Sequence, residues 1–383
     1  MTEQIFSGGV NFTVKVLIFG GTGAMGSYLA EVLASRGTDA YVTTRQEYSD
    51  RDGIKYIRGN AHDIGFVKSV LDGGKYDAVI DFMNYSPADD FPVRAEILTG
   101  GTGHYFFLSS SRVYADSGTP IRETSPRLLD VSPDKAYLLT NEYAIKKARE
   151  EDVLRKCMRK NWTIIRPYIT YSNERLQLGV EEKEGWLYRV IHGRPVVFSE
   201  DIAEHTTTLT WGHDVAEGIA GLLCRAEAFG QTYHITGDDA MKWRDIAEIY
   251  REVFADVTGR EMRIVYIPKA LYDTAQVKYD RLYDRVFDNS KIKSIVPEFR
   301  PVSIREGLTR CLTEFIRDNH PFRGISSRNE ALKDRITGTH AKLSEFSGMN
   351  RVKYFVYRHC PALGILLRLG GKILRRIQKH DTH

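Results

Sequence analysis

Tyr143 and Lys147 stand four residues apart in Tyr143-Ala144-Ile145-Lys146-Lys147, so on a helix they share one face. A phenol is a poor base at neutral pH, and an ammonium group one turn away favours its ionised form. Upstream, an apolar run ends in Ser109-Ser110-Ser111-Arg112-Val113-Tyr114. A hydroxyl there can hold a substrate oxygen in line with the phenol. Such a set moves a proton on or off a carbonyl oxygen while hydride moves at the carbon.

Hydride needs a carrier, and the first glycine cluster suits one. Gly20-Gly21-Thr22-Gly23-Ala24-Met25-Gly26 follows the apolar run Val14–Phe19 and precedes a helical pattern carrying Leu29, Val32 and Leu33. A turn without side chains lets the backbone approach a pyrophosphate, and the helix N-terminus supplies amides and a positive dipole end. Gly20, Thr22, Gly23, Ala24, Met25 and Gly26 are the expected contacts of a dinucleotide. The second strand ends in Thr43-Thr44-Arg45, with no acid before Glu47. An acid there would accept from a free ribose diol, whereas Arg45 suits a 2′-phosphate, which favours NADP over NAD. Asp63, after Gly59-Asn60-Ala61-His62, is placed in a loop that meets the adenine.

The elements that must position these groups alternate. Strands are expected at Val14–Phe19, from Ala40, at Ile54–Ile57, Ala78–Phe82, His104–Leu108 and Trp162–Ile165. Helices fall between them, including one long helix from Ala136 to Arg159, and further helical patterns follow at Asp214–Leu223 and Trp243–Phe254. This rhythm reads as an α/β fold, a Rossmann-like doubly wound parallel sheet covered on both faces. Residues 1–170 are expected to form the dinucleotide-binding domain, with some later segments returning to it. Beyond Arg166 the rhythm loosens, so residues 171–325 are set apart as a second, smaller region and 326–383 as a basic amphipathic helical tail.

Composition narrows the class. The 383 residues are 42% apolar and 27% charged, enough for large cores, and no stretch of 18 apolar residues lacks a charge. Cys157, Cys224, Cys311 and Cys360 are far apart and make no CxxC pair, which argues against a zinc knuckle or disulfide framework. HExxH, a P-loop and GxSxG do not occur, and no metal site is expected. A cytoplasmic enzyme is the resulting expectation. The net charge of +4 hides an asymmetry: residues 331–383 hold 11 Lys/Arg against 3 Asp/Glu, leaving the body acidic. A globally basic surface for nucleic acid is therefore not expected.

From about Val14 to about Leu312 the chain resembles the extended short-chain dehydrogenase/reductase family, which includes the nucleotide-sugar epimerases and dehydratases. The resemblance rests on Gly20-x-x-Gly23-x-x-Gly26, the Ser109–Tyr114 run, Tyr143-x-x-x-Lys147-x-x-x-Glu151 and Ile164-Ile165-Arg166-Pro167. Trp211-Gly212-His213-Asp214-Val215-Ala216 is similar to a late strand-to-helix signature, and Asn289-Ser290-Lys291 to a pattern of the substrate domain. The resemblance implies Tyr143 as acid/base, Lys147 on the nicotinamide ribose, and Ser110 as the catalytic hydroxyl with Ser111 as its alternative. It also implies a Rossmann-like first domain with residues 171–325 as a smaller C-terminal α/β substrate domain, a nucleotide-linked sugar as substrate, and a homodimer.

Departures shape the expected chemistry. Dehydratases of this family carry two acids after the catalytic Ser/Thr, where this chain has Ser111 and Arg112, so elimination of water is not expected. Ile169 to Asn173 occupy the stretch where many members carry a substrate-touching Asn, and Glu142 replaces the usual proline before the tyrosine. Arg281 and Arg285 are candidates to clamp a diphosphate, against a reading as surface charges paired with Asp280, Asp284 and Asp288. Net reduction of a keto-sugar is favoured, epimerisation is the alternative, and a non-catalytic or RNA-associated protein is the second alternative. Residues 351–380 carry eight Lys/Arg and no acid among leucines and isoleucines. They suit either the inner face of a membrane or a protein surface.

Overall fold

The computed structural model describes residues 13–118, 120–360 and 362, and the chain divides into two units. The first takes the chain up to Ser172, then Thr206–Met241 and Tyr283–Gly307; the second takes Asn173–His205, Lys242–Leu282 and the chain from Leu308.

The first unit is built on a parallel sheet of β1 (Lys15–Phe19), β2 (Asp39–Thr44), β3 (Ile54–Arg58), β4 (Ala78–Asp81), β5 (His104–Leu108), β6 (Trp162–Pro167) and β7 (Gln231–Ile235). Their spatial order is β7-β6-β5-β4-β1-β2-β3. The strand order reverses between β1 and β4, which opens a crevice at their carboxyl ends. Side chains alternate across this sheet: Val16 and Ile18 join the core under α1 (Gly26–Ser35), while Leu17 and Phe19 join the core under α2 (Ile64–Gly74) and α3 (Phe91–Gly101). Burial on both faces is why these strands read as unbroken apolar runs.

The helix expected from Ala136 to Arg159 is two pieces. A short turn, Lys135–Leu138, is capped by Asp134; α4, Tyr143–Lys156, then starts afresh. The break is local. The Thr140 hydroxyl donates to the Tyr137 carbonyl and accepts from the Glu142 amide, and the Glu142 carboxylate accepts from the Ala144 amide at 2.8 Å. Side chains thus take over the backbone groups that a continuous helix would have used. Tyr143 becomes the first residue of a helix instead of an interior one.

Later segments complete this unit. Thr170–Tyr171 pairs with Thr210–Trp211, and α5 (Gly212–Leu222) packs beside α1, contributing Val215, Ala216, Ile219 and Leu222 to the same core. Asp214 accepts from the Val302 amide, and burial lifts its carboxyl to about 7. Asn289-Ser290-Lys291, expected in the substrate domain, lies in the first unit. The Asn289 side chain donates to the carbonyls of Thr236 and Gly237, just beyond β7.

In the second unit, α6 (Trp243–Thr258) buries Trp243, Ile246, Tyr250 and Phe254, and Val196–Ser199 pairs with Ile264–Ile267 in parallel. The expectation of a basic tail from residue 326 is corrected here. Helices α7 (Ser327–Thr337) and α8 (Gly348–His359) belong to this unit, and α7 is tied into it by buried charge. Arg189 pairs with Glu330 at 3.0 Å and Asp334 at 2.9 Å; Arg194 pairs with Glu330, Asp334 and Glu345; Lys333 pairs with Glu181. The Tyr354 hydroxyl of α8 adds a bond to Asp334 at 2.6 Å. Acids and bases far apart in sequence neutralise one another, which no count of tail charge could show. The helical reading of residues 363–383 lies outside the described residues. No helix of the described residues is long and apolar enough to cross a membrane.

Glu330→Ala removes one of the two buried carboxylates that Arg189 and Arg194 share, leaving both on Asp334, so urea unfolding of the full chain should show a loss of about 1–3 kcal/mol. Wild-type stability in that variant would contradict the role given to this network.

Candidate active site

The glycine turn sits at the head of the crevice between β1 and β4. Gly20 has φ +71°, and the Gly23 amide closes the turn on the Gly20 carbonyl at 3.2 Å. A Cβ on Gly26 would lie 2.5 Å from the Gly21 Cα, so the turn packs directly on the start of α1. Gly212 backs it from behind: a Cβ there would lie 2.9 Å from the Ala24 carbonyl. Above Gly23 a Cβ would meet only the Gly20 carbonyl, at 3.5 Å, and Thr22 and Gly23 are exposed. Helix α1 has no side-chain cap and no acid in its first turn. A bare, open turn leading into an uncapped helix fits the pyrophosphate of a dinucleotide.

Phe82 and Met83, just past β4, join this turn to the second half of the site. A Cβ on Gly20 would meet the Phe82 Cβ at 3.3 Å and the Met83 sulfur at 3.5 Å, while the Met83 carbonyl accepts from Lys147 Nζ at 3.4 Å. The loop is pinned by Asp81, which accepts from the Met83 amide at 2.9 Å and from the Tyr85 and Tyr105 hydroxyls at 2.7 Å each. Burial raises the Asp81 carboxyl and holds both phenols well above their usual range. These phenols therefore stay protonated and keep donating.

Lys147 is almost fully buried, over the Phe107 ring, and its ammonium pairs with Glu150 Oε2 at 3.2 Å. Burial raises the Glu150 carboxyl, against the pull of Lys147. Sequence reasoning missed Glu150, although an acid three residues past a helical lysine is a readable signal.

The three serines separate by what their hydroxyls do. Ser109 donates to Glu151 at 2.6 Å, and Ser111 donates to the Arg166 carbonyl at 2.8 Å and is fully buried. Ser110 accepts from the Arg112 amide at 3.2 Å, and no bond donated by its hydroxyl is seen among the described residues. Of the two candidates, Ser110 keeps a proton to offer. Behind them, Arg166 grips Glu151 through two bonds of 2.7 and 2.6 Å. Burial by itself would raise Glu151, but Arg166, Arg155 and the Ser109 hydroxyl outweigh it and hold the carboxyl at about 2. Glu151, the last residue of the Tyr-Lys-Glu motif, thus fastens α4 to β5 and β6.

Tyr143 is half-buried at the start of α4, where the backbone dipole is positive. The Arg112 guanidinium carbon lies 5.4 Å from its ring centre and is held by Glu142 at 2.6 Å. The two departures noted in the sequence, Arg112 and Glu142, are therefore partners beside the tyrosine. Ile169, first of the stretch Ile169 to Asn173, has φ +29°, a backbone that disfavours a β-branched residue.

Other expected contacts are placed differently. Arg45 is exposed after β2 and makes no ion pair among the described residues, and Thr43 and Thr44 are buried. Asp63 caps α2, accepting from the Gly65 amide at 2.8 Å and the Phe66 amide at 3.4 Å. Arg281 and Arg285 are not surface groups. Arg281 is buried in the second unit on Asp280 and the Gly179 carbonyl; Arg285 is buried in the first on the carbonyls of Tyr114 and Ala115. Both act as internal ties, which corrects the surface-pairing reading.

Residues 16–91 match the model of the NAD dependent epimerase/dehydratase family. The chloroplast stem-loop binding protein of 41 kDa b of Arabidopsis thaliana is 26% identical over 320 residues, 77% of each chain. Among solved structures, an epimerase of Methanothermobacter thermautotrophicus has a TM-score of 0.62 at 20% identity, covering 80% of this chain and 93% of that one. The UDP-glucose 4-epimerase of Thermus thermophilus, complexed with NAD, has a TM-score of 0.60 at 20% identity, covering 79% and 99%. These likenesses establish the Rossmann-like fold shared with extended short-chain dehydrogenase/reductase structures.

Glu151 is depressed in the folded chain, so its contribution is complete above about pH 4.5 and is lost as pH falls towards 2. Arg166→Leu should move the midpoint of acid unfolding, followed by circular dichroism, to higher pH. An unchanged midpoint would remove Glu151 from that role.

Proposed function

We infer that this chain, whose residues 16–91 carry the dinucleotide-binding segment of the NAD dependent epimerase/dehydratase family, interconverts hydroxyl and keto forms of a nucleotide-linked sugar. The observation that carries the reading is that the bare glycine turn packs against Phe82 and Met83 while Lys147 bonds to the carbonyl of the same Met83. When bound, a nicotinamide dinucleotide supplies the hydride acceptor or donor.

The chain's own residues supply the rest. Ser110 donates to the substrate oxygen and orients it. Tyr143 gives a proton to that oxygen as a carbonyl is reduced and takes one as a hydroxyl is oxidised. Lys147, one helical turn after Tyr143, would hold the nicotinamide ribose hydroxyls and supply positive charge on the phenol's helix. The exposed Arg45 at the end of β2 supports NADP and net reduction of a keto-sugar. The family match supports epimerisation, in which the same residues act twice on opposite faces. Dehydration is disfavoured, because Ser111 is spent on a carbonyl and the Arg112 guanidinium is too weak an acid to protonate a leaving hydroxyl.

A second reading, binding of structured RNA without turnover, is favoured by two observations. One is the name of the curated relative; the other is that Lys147 already has a buried counter-ion in Glu150.

Mass spectrometry of the cofactor retained on purification, followed by assay against a panel of nucleotide sugars, separates these readings. Tyr143→Phe should keep the cofactor and lose turnover by about 10²–10⁴-fold. Glu150→Gln should tighten cofactor binding several-fold, because Lys147 then serves the ribose without competition. Tight binding of a stem-loop RNA by a chain that takes up no dinucleotide would replace the enzymatic reading.

A further inference from the structure

The first unit holds a cleft of about 280 Å³ between the end of α1, the start of α5 and the loop 296–302. Trp211 and His213, whose rings stack at 4.7 Å, line it together with Val296, Phe299 and Val302. Asp214 lines it too, although it is only 5% exposed. Its Oδ2 accepts from the Val302 amide at 2.9 Å, and Oδ1 has no partner among the described residues. A buried carboxyl oxygen left unbonded beside a cleft calls for a donor from outside the chain.

The other charged groups of the lining show what kind of donor. Arg36 is paired with Glu217, and Arg300 donates to the carbonyls of Pro297 and Phe299 at 2.6 and 2.8 Å. Both guanidinium groups are therefore engaged away from Asp214. Glu298 is exposed and makes no ion pair among the described residues. Burial, and behind it the charges of Glu217, Asp238 and Glu306, raise the Asp214 carboxyl to about 7. The cleft is thus short of positive charge.

We propose that it binds a small organic ammonium ion, with the charged head on Asp214 and the apolar body against Val296, Phe299 and Trp211. The ammonium donates to Oδ1 and gives Asp214 the counter-ion that the fold does not. Aromatic rings in the lining attract the same charge. An anion would meet carboxylates while both guanidinium groups are occupied. A bare metal ion is not favoured, since no group of three His, Cys, Asp or Glu suited to one occurs among the described residues. A neutral apolar molecule would leave Oδ1 desolvated and unbonded. The volume lies just below the range of about 300–1,000 Å³ that holds drug-sized ligands, so the occupant is small. The inference is independent of the reaction assigned to the first unit.

Calorimetric titration of the full chain with benzylamine and hexylamine, set against benzyl alcohol and benzoate, tests it. The better of the two amines should bind at least about tenfold more tightly than the alcohol, and benzoate more weakly still. Asp214→Asn keeps an oxygen for the Val302 amide and should weaken amine binding about tenfold. Glu298→Gln changes an exposed position and should weaken it about two- to fivefold. The amine needs the ionised carboxyl, so wild-type affinity should fall about tenfold between about pH 8 and pH 6. His213, Glu217, Glu298, Arg36, Asp238 and Glu306 surround Asp214, and flattening of this slope in Asp214→Asn assigns it to Asp214. Should that variant melt lower than wild type, Glu298→Gln and the wild-type pH profile decide. Three results would overturn the proposal: neither amine binding at up to about 10 mM, the alcohol or benzoate matching the amines, or amine binding indifferent to both substitutions.

Discussion

The contact on which the site depends is a small one: the loop past β4, where the glycine turn packs on Phe82 and Met83 and Lys147 bonds to the Met83 carbonyl. A parallel sheet whose order reverses at β1 and β4 places the ends of those strands together, with Phe19 paired to Asp81. The Asp81 carboxyl, held by two phenols and an amide, then fixes the loop that follows. Without that fixed loop, the turn and the lysine would be separate features of one chain.

Charge is handled in the same way throughout the molecule, by burial with partners. Glu151 takes Arg166, Arg127 and Arg155 and orients α4. Glu330 and Asp334 take Arg189 and Arg194 and bind α7 into the second unit. Removing one member of such a set costs far more than the set contributes, since it leaves a desolvated charge unpaired. Lys147 with Glu150 follows the same pattern, but at the position where the proposed chemistry of the first unit needs a cation.

The strand–helix alternation was legible because each strand of the central sheet is buried on both faces and so reads as a plain apolar run. The glycine turn was legible because only glycines allow Gly26 to approach Gly21. The start of α4 was not: helical periodicity continues through residues 139–142, and the break comes from Thr140 and Glu142 capturing backbone groups. Ser110 could be set apart from Ser111 only by seeing that the latter donates to Arg166. Arg281 and Arg285 read as surface charges because their acidic neighbours in sequence look like partners, whereas burial is decided by segments up to 171 residues away. The region from residue 326 read as a basic tail for the same reason.

The central claim is that a dinucleotide pyrophosphate lies on the open face of the glycine turn. Gly23→Val tests it most directly, because at that position a Cβ meets only the Gly20 carbonyl, at 3.5 Å. Titration calorimetry with NADP and NAD should show binding to the wild type and none to this variant, at equal thermal stability. Equal affinity in the two proteins would contradict the account.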